Sequence, residues 1–447
     1  DTSRKTRYGI TLLYVLSFNA FLRLYLNQWF HVRGREVNGK TDIIVVGGGP
    51  CGSYSALTAA RLGAEVFVCE EHREIGVPKH CAGHLSVAGL ERLGLRLPPE
   101  VIENEIKGAV FHSPSGKEFV IRRDSPVTYV VNRELFDKNL SDLAAKSGAR
   151  YFLESRVKSL LFDSGFVVGV AVKKGRDEKN LASNVVIDAE GCSSTLLKKT
   201  GLQTLQGSMV VKAIQVEVDR VDGIDGDMVE VYLGRKYAPG FFAWIIPKRD
   251  ASAKVGLATW AGDPREYLRR FMKNHPVASK KLRKSNITSL SLHPILLGGP
   301  VPKTYSNGLL VVGDTASQVK PTTGGGVIVG LSCSKIAGEV AYEAVKNNDF
   351  SETFLSQYQS RWKELMGFDL TVMRQIRKLL NRLSDDKVDK IIDFCTKFGV
   401  DDVLEDVGDL DFQGRSLIPM IKHPTTLVTM LYFMFSWLTS SSRSRPK

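Results

Sequence analysis

The sequence predicts an α/β fold, in which a parallel β-sheet with crossover helices is joined to an antiparallel β-sheet and followed by a C-terminal helical cap. Two apolar runs rich in β-branched residues, 42–46 and 308–312, each lead into a glycine-rich loop and a helix-forming segment. This order is typical of strands in a parallel sheet. Between them, segments such as 215–219 and 229–232 alternate apolar and polar residues, as antiparallel strands do. Long helical patterns dominate from Ser351 onward.

The first glycine-rich loop, residues 47–52, lies between a predicted strand and a helix predicted over 53–62. Glycines permit a tight turn and close approach of the backbone, and a helix N-terminus offers free N–H groups to a pyrophosphate. Glu70 ends the following strand, where an acidic residue would bind an adenosine ribose. A flexible glycine turn without a ligand is the alternative. The predicted dinucleotide-binding residues of this loop are Gly47, Gly49, Cys51 and Gly52.

The second glycine-rich loop, residues 313–326, follows the strand at 308–312 and opens a helix predicted over 327–340. A helix N-terminus at this point could face the pyrimidine ring of a flavin and stabilise negative charge on the reduced ring. The two loops together favour FAD over NAD and predict a Rossmann-type FAD-binding domain. Gly325 and Gly326 are predicted to contact the flavin edge.

Four further segments resemble motifs of the FAD-dependent geranylgeranyl reductase family, within the flavoproteins related to p-hydroxybenzoate hydroxylase and glutathione reductase. Residues 78–83 are similar to its P-x-x-C-x-G motif and 132–137 to its R-x-x-F-D motif. Residues 188–194 resemble A-D-G-x-x-S with Glu190 in place of Asp, and 239–247 resemble Y-x-W-x-F-P. The resemblance spans about residues 41–420 and is strongest to the archaeal enzymes that saturate the geranylgeranyl chains of ether lipids.

The resemblance implies roles that the spacing of residues does not assign. It places Cys81 and Gly83 beside the flavin, and Arg133 and Asp314 against the rest of the dinucleotide. Cys81 would act in catalysis as an acid or a gate, although a buried inert thiol is the commoner fate of a lone cysteine.

Two departures from the family fall on the predicted substrate side. Phe242 stands where the family has Tyr, and Ile246 where it has Phe. A hydroxyl that could donate a proton is lost, whereas an apolar cavity for a prenyl chain is kept. Packing of a sheet core is the alternative role for these aromatic residues. The predicted substrate-binding residues are Phe241, Phe242, Trp244 and Pro247, and the predicted catalytic residues are Cys81, Phe242 and Trp244.

The chemistry implied is the saturation of carbon–carbon double bonds in a prenyl chain of an archaeal ether-type phospholipid. One carbon receives a hydride and the other a proton, in a cavity that excludes water. No second dinucleotide fingerprint is present, in keeping with a family reduced by NADPH or ferredoxin. The alternatives are a flavin monooxygenase of a lipid or quinone, a reductase of a quinone or chlorophyll-precursor side chain, and a non-catalytic flavoprotein that binds prenyl lipid.

Both ends of the chain predict association with a membrane. Residues 8–30 are largely apolar with basic flanks, but Arg23 interrupts them, so they form at most a marginal transmembrane helix. Residues 425–438 are shorter and are predicted to form an interfacial anchor or a core helix. A formal charge of +13 favours anionic lipid headgroups. The predicted location is therefore the cytoplasmic face of a membrane.

Composition argues against other classes of function. No compact cluster of basic and aromatic residues indicates nucleic-acid binding. The six cysteines show no metal-type spacing, so they are predicted to be thiols and no metal site is predicted.

At 447 residues the chain exceeds a typical single domain, and its predicted parts alternate along the sequence. The FAD-binding domain is predicted to be assembled from three separate pieces, with the substrate strands inserted between them. The predicted parts are an N-terminal hydrophobic segment (1–40), FAD-binding pieces (41–105, 150–205 and 300–345), substrate-side strands with a linking helix (106–149), the antiparallel substrate domain (206–299) and the C-terminal helical domain (346–447).

Overall fold

The structure is a computed structural model and describes residues 40–205, 209–400 and 409–421. The apolar segments at 8–30 and 425–438 lie outside these ranges. Within the ranges, none of the helices combines the length and the apolar character needed to cross a membrane.

The described residues form 18 strands and nine α-helices. The strands are β1 (Thr41–Val46), β2 (Val66–Cys69), β3 (His84–Ser86), β4 (Ile102–Ile106), β5 (Gly108–His112), β6 (Glu118–Arg122), β7 (Thr128–Val131), β8 (Arg150–Phe152), β9 (Arg156–Asp163), β10 (Phe166–Lys174), β11 (Asp177–Asp188), β12 (Val210–Val218), β13 (Met228–Tyr232), β14 (Ala243–Pro247), β15 (Ala253–Thr259), β16 (Ile287–Leu296), β17 (Tyr305–Ser306) and β18 (Leu309–Val311). The helices are α1 (Pro50–Leu62), α2 (Val87–Arg92), α3 (Arg133–Lys146), α4 (Pro264–Asn274), α5 (Ala278–Lys281), α6 (Val327–Asn347), α7 (Glu352–Leu380), α8 (Asp385–Lys397) and α9 (Gln413–Ile421).

The first sheet has the strand order β17-β18-β11-β1-β2-β8, and all its neighbours from β18 to β8 are parallel. Ile43, Ile44 and Val45 of β1 are fully buried. Both faces of β1 are covered, by α1 and α6 on one side and by the strands β9 and β10 on the other, which explains its continuous apolar sequence. The strands β1 and β18 lie on either side of β11 and run parallel to it. The two glycine-rich loops, which follow the carboxyl ends of β1 and β18, therefore meet at the same edge of this sheet.

The second sheet has the strand order β16-β12-β15-β14-β13-β5-β6. Its pairs are antiparallel, as predicted, with the exception of β5 and β13, which run parallel. Between β5 and β13 the chain passes through strands of the first sheet. The two strands are therefore joined by a long crossover connection, which permits parallel pairing. A small three-stranded sheet, β3-β7-β4, joins the two.

The C-terminal helices complete the fold. The helix α7 packs against α6 and α9, while α8 packs against β6 at the edge of the second sheet. The helix α6 continues to Asn347, beyond the predicted end at 340, because its buried face extends through Ala344. The helical cap therefore contacts both sheets.

Candidate functional site

A cavity of about 1210 Å³ extends from the ends of β1 and β18 across one face of the second sheet. Most of the predicted site residues line it, although they come from distant parts of the sequence. The lining residues among them are Gly47, Gly49, Cys51, Glu70, Cys81, Arg133, Phe241, Phe242, Trp244, Asp314, Gly325 and Gly326.

The remaining three predicted residues support the cavity wall. A Cβ on Gly52 would lie 1.9 Å from the carbonyl oxygen of Gly47, and one on Gly83 would lie 2.3 Å from the carbonyl oxygen of Val131. The carbonyl of Pro247 accepts a hydrogen bond from Asn104 at 3.0 Å. Their contribution is therefore close packing of the backbone behind the site.

The first glycine-rich loop has the shape that a pyrophosphate requires. Gly47 has a φ of +94° and a Cβ there would lie 2.5 Å from the carbonyl oxygen of Ala189, so only glycine fits. Around Gly49 no atom lies within 4 Å of an added Cβ, which leaves open space where the loop faces the cavity. Gly49 is also the N-cap of α1 and no side chain caps it. The N–H groups of this helix end are available to an anion.

Glu70 is fixed against this loop at the end of β2. Its Oε2 accepts a hydrogen bond from the backbone N–H of Gly48 at 2.7 Å. Its Oε1 accepts from the backbone N–H of His72 at 2.9 Å and lies 2.6 Å from His72 Nδ1. The carboxylate is thus oriented at the cavity surface, and its contact with a ribose stays a prediction.

Arg133 and Cys81 lie together on the cavity wall. Arg133 is the first residue of α3, and its Nε and Nη2 donate to the two carboxylate oxygens of Asp137 at 3.0 and 2.9 Å. Burial lowers the pKa of Arg133, but Asp137 and the neighbouring Cys81 outweigh burial and raise it overall. A permanent cation therefore lies beside the Cys81 sulfur.

The second glycine-rich loop surrounds Asp314. A Cβ on Gly326 would lie 3.1 Å from Asp314 Oδ1, and one on Gly324 would lie 3.1 Å from Phe241 Cζ. Gly326 is the N-cap of α6 and has no side-chain cap, so this second helix end is also open to an anion. The loop thus lies between the first sheet and the aromatic residues of the second.

The aromatic residues both pack the core and line the cavity. The rings of Phe241 and Phe242 are stacked with centroids 4.1 Å apart, and Phe242 meets Trp244 edge-on at 6.0 Å. Trp244 Nε1 donates to Gln215 Oε1 at 3.3 Å. The two roles considered from the sequence are therefore not exclusive, and contact with a substrate stays a prediction.

The cavity wall also contains a histidine pair that was not predicted from the sequence. His293 on β16 stacks on His80, with ring centroids 5.1 Å apart and an interplanar angle of 15°. Burial lowers the pKa of His293, but Asp314 and Cys192 outweigh burial and raise it to about 10. His293 is therefore a cation at neutral pH. No local motif connects His293 on β16 with His80 or with Asp314. Only the three-dimensional arrangement shows that these residues lie together.

Arg377 on α7 was also not predicted. Its guanidinium lies over the ring of Phe241, 4.7 Å from the centroid, and its Nε donates to the carbonyl of Pro321 at 2.9 Å. The helical cap thus supplies a residue to the cavity and is hydrogen-bonded to Pro321 of the second glycine-rich loop.

Comparisons with known proteins identify relatives along most of the chain. Residues 42–400 match the lycopene cyclase protein family. The digeranylgeranylglycerophospholipid reductase of Methanocaldococcus jannaschii is 37% identical over 80% of this chain and 91% of its own. Digeranylgeranylglycerophospholipid reductase 2 of Methanopyrus kandleri is 35% identical over 78% of this chain and 89% of its own.

Solved structures agree with the predicted fold class. A geranylgeranyl bacteriochlorophyll reductase-like protein from Thermoplasma acidophilum has a TM-score of 0.78 and 28% identity, covering 88% of this chain and 99% of its own. The flavin-dependent brominase Bmp2, at a TM-score of 0.67 and 16% identity over 89% of this chain and 99% of its own, shares the fold alone. The chain therefore belongs to the lycopene cyclase protein family and to the family of the digeranylgeranylglycerophospholipid reductases, which confirms the resemblance predicted from its motifs.

Proposed function

We propose that the protein is an FAD-dependent reductase that saturates carbon–carbon double bonds of geranylgeranyl chains in archaeal-type ether phospholipids. One observation carries the proposal: a single cavity joins two glycine-rich loops suited to a dinucleotide with an apolar, aromatic wall on the second sheet. The relatives named digeranylgeranylglycerophospholipid reductase support the class of substrate.

The loops and the open helix ends described above fit FAD. Gly47, Gly49 and the N-terminus of α1 would hold the pyrophosphate, Glu70 the adenosine ribose, and Gly325 with Gly326 the flavin edge. When bound and reduced, FAD supplies the hydride for one carbon of the double bond.

The part of the cavity beyond the aromatic residues has many apolar side chains in its wall and would hold the prenyl chain. It crosses the sheet from β14 to β6, three strand spacings or about 14 Å, and α8 covers its far end. With a prenyl chain in place, these side chains would exclude water from the reacting double bond. The residues that line this part include Ala109, Phe111, Ile121, Val229, Ile246, Leu380, Leu383, Ile391 and Ile392.

The proton for the second carbon requires a donor, because Phe242 has no hydroxyl. Cys81 lines the cavity and we assign it this role. The Sγ–H bond breaks, a C–H bond forms and the electron pair stays on sulfur. Arg133 stabilises the resulting thiolate, since opposite charges in a partly desolvated site attract strongly.

The electron donor and the membrane are further partners in this proposal. NADPH or ferredoxin would reduce the cofactor, as the family resemblance implies. The formal charge of +13 would bring the protein to an anionic lipid surface at the cytoplasmic face, where its substrate is found.

Anaerobic incubation of the dithionite-reduced holoenzyme with geranylgeranylated glycerophospholipid tests the function. Mass spectrometry should show stepwise gains of two hydrogens, and the oxidised holoenzyme is the matched control. Unchanged lipid with FAD bound would contradict the proposed substrate, and parallel reactions with a prenylated quinone and a chlorophyll precursor would then identify another one. Oxygenated product formed only in air would indicate a monooxygenase.

A further inference from the structure

Arg377 carries a buried charge for which the part of the chain that the structure describes provides no acidic partner. Its side chain lies on the cavity wall with the residue only 4% exposed. The guanidinium donates to two backbone carbonyls, those of Pro321 and Thr322. Within residues 40–205, 209–400 and 409–421, no carboxylate forms an ion pair with it, and burial lowers its pKa to about 10. The group is still a cation at neutral pH.

Neighbouring buried cations are paired differently. Lys320 Nζ lies 2.8 Å from Asp411 Oδ1, and Arg133 Nη2 lies 2.9 Å from Asp137 Oδ2. Removing an ion from water costs several kcal/mol, so buried charges in proteins are normally compensated by an opposite charge. Among the described residues, the charge of Arg377 is thus left without a carboxylate, and a bound anion would compensate it.

The position of Arg377 identifies this anion. The carbonyls it binds belong to the residues directly before Thr323 and Gly324, and the Phe241 ring beneath the guanidinium reaches to 3.1 Å from a Cβ placed on Gly324. The open N-terminus of α6 begins at the end of the same loop. A cation and the positive end of a helix therefore converge on the loop assigned to the flavin edge.

We propose that Arg377 is the counter-charge for the negative charge of reduced FAD, and that it favours the reduced over the oxidised cofactor. The inference rests on the proposed function only in requiring FAD, and it needs no prenyl substrate. A lipid phosphate is a second anion that a guanidinium could bind, so the test is made without lipid.

The midpoint potential of bound FAD measures this effect directly, by reductive titration of the lipid-free holoenzyme with a reference dye. In Arg377→Met the affinity for reduced FAD, relative to oxidised FAD, should fall about tenfold, which lowers a two-electron midpoint by about 30 mV. Arg377→Lys keeps the charge and should remain near the wild-type value. If Met at this position prevents folding, Arg377→Gln removes the charge and retains hydrogen-bonding capacity.

A control variant separates charge from the position of the loop. Gln413 Oε1 accepts a hydrogen bond from Thr322 Oγ1 at 2.7 Å, and Gln413→Leu removes this bond without changing any charge. Its midpoint should equal that of the wild type. Equal shifts in Gln413→Leu and Arg377→Met, or an unchanged midpoint in Arg377→Met, would overturn the proposal.

The wild-type holoenzyme provides a test that needs no variant. An anionic reduced flavin takes up one proton for two electrons, so the midpoint should fall by about 30 mV per pH unit near neutral pH. A slope of about 59 mV per pH unit would mean that the reduced flavin is neutral, and this would overturn the proposal. If the midpoint potentials agree with these expectations but no prenyl lipid is turned over, the proposed function is contradicted and the role of Arg377 is not.

Discussion

An added methyl group should affect the stability of the protein at Gly52, within α1, and its affinity for FAD at Gly49, directly before α1. In Gly52→Ala the Cβ would lie 1.9 Å from the carbonyl oxygen of Gly47, so the loop would have to move by more than about 1 Å. Such overpacking costs about 1–3 kcal/mol. Alanine recovers up to about 1 kcal/mol through its helix propensity. Because the contact is with backbone rather than with a flexible side chain, the cost lies at the upper end of this range, and the free energy of unfolding should fall by about 2 kcal/mol.

Gly49→Ala is the matched substitution on the open side of the loop. Gly49 has a φ of −67° that alanine adopts readily, and no atom lies within 4 Å of the new Cβ. The free energy of unfolding should change by less than about 0.5 kcal/mol. The methyl group would occupy the space assigned to the pyrophosphate, so FAD affinity should fall about tenfold or more, equivalent to at least about 1.4 kcal/mol.

Urea unfolding of the FAD-free protein measures the first quantity, and titration of flavin fluorescence measures the second. The reasoning requires that Gly49→Ala separate binding from stability. Wild-type FAD affinity in Gly49→Ala would refute the assignment of this loop to the pyrophosphate. Unchanged stability in Gly52→Ala would show that the close backbone contact with Gly47 is not required for the fold.

Three further predictions concern single side chains. Cys81→Ala should retain FAD but lose about tenfold or more in the single-turnover rate of lipid saturation, measured by mass spectrometry, because the proposed proton donor is absent. The pKa of His293 is raised to about 10 in the folded protein, so protonation of this side chain stabilises the fold. The stabilisation is fully present below the pKa of the unfolded state and is lost as the pH rises through about 10. By itself this raised pKa corresponds to several kcal/mol, but the ring of His293 is only partly buried and solvent screening reduces the contribution. The stability difference between wild type and His293→Asn in urea unfolding should therefore be roughly 1–2 kcal/mol larger near pH 6 than near pH 10.5. Trp244→Phe should cost about 1 kcal/mol through loss of the hydrogen bond to Gln215, and Trp244→Ala about 3–5 kcal/mol through the cavity it leaves, both measured by urea unfolding.

Each of these predictions has a result that contradicts it. Wild-type turnover in Cys81→Ala would transfer the role of proton donor to another group, and His80 and His293 are the cavity-lining candidates. A stability difference for His293→Asn that is independent of pH would mean that its ring acts by packing alone. Equal costs for the two Trp244 variants would show that the site collapses around a smaller side chain.

Much of the nucleotide-binding half was predictable because its signals are local. The strand ending at Val46, the glycine loop and the helix α1 are contiguous in sequence, and each leaves its own pattern in residue type. The same holds for β18 and α6, and the structure places both units in one sheet with β11 between them. The sequence also predicted the antiparallel second sheet, but not the parallel pairing of β5 with β13, which depends on strands distant along the chain.

The sequence by itself determined the α/β class, the two glycine-rich loops and the family, since these depend on short motifs and on periodicity of apolar residues. Only the tertiary structure decided which charges meet in the cavity. It placed His293 beside Asp314, and Arg377 over Phe241, by bringing β16 and α7 to the second glycine-rich loop. Contacts of this kind join residues far apart in the chain, and their charges acquire meaning only once burial removes the water that would otherwise screen them.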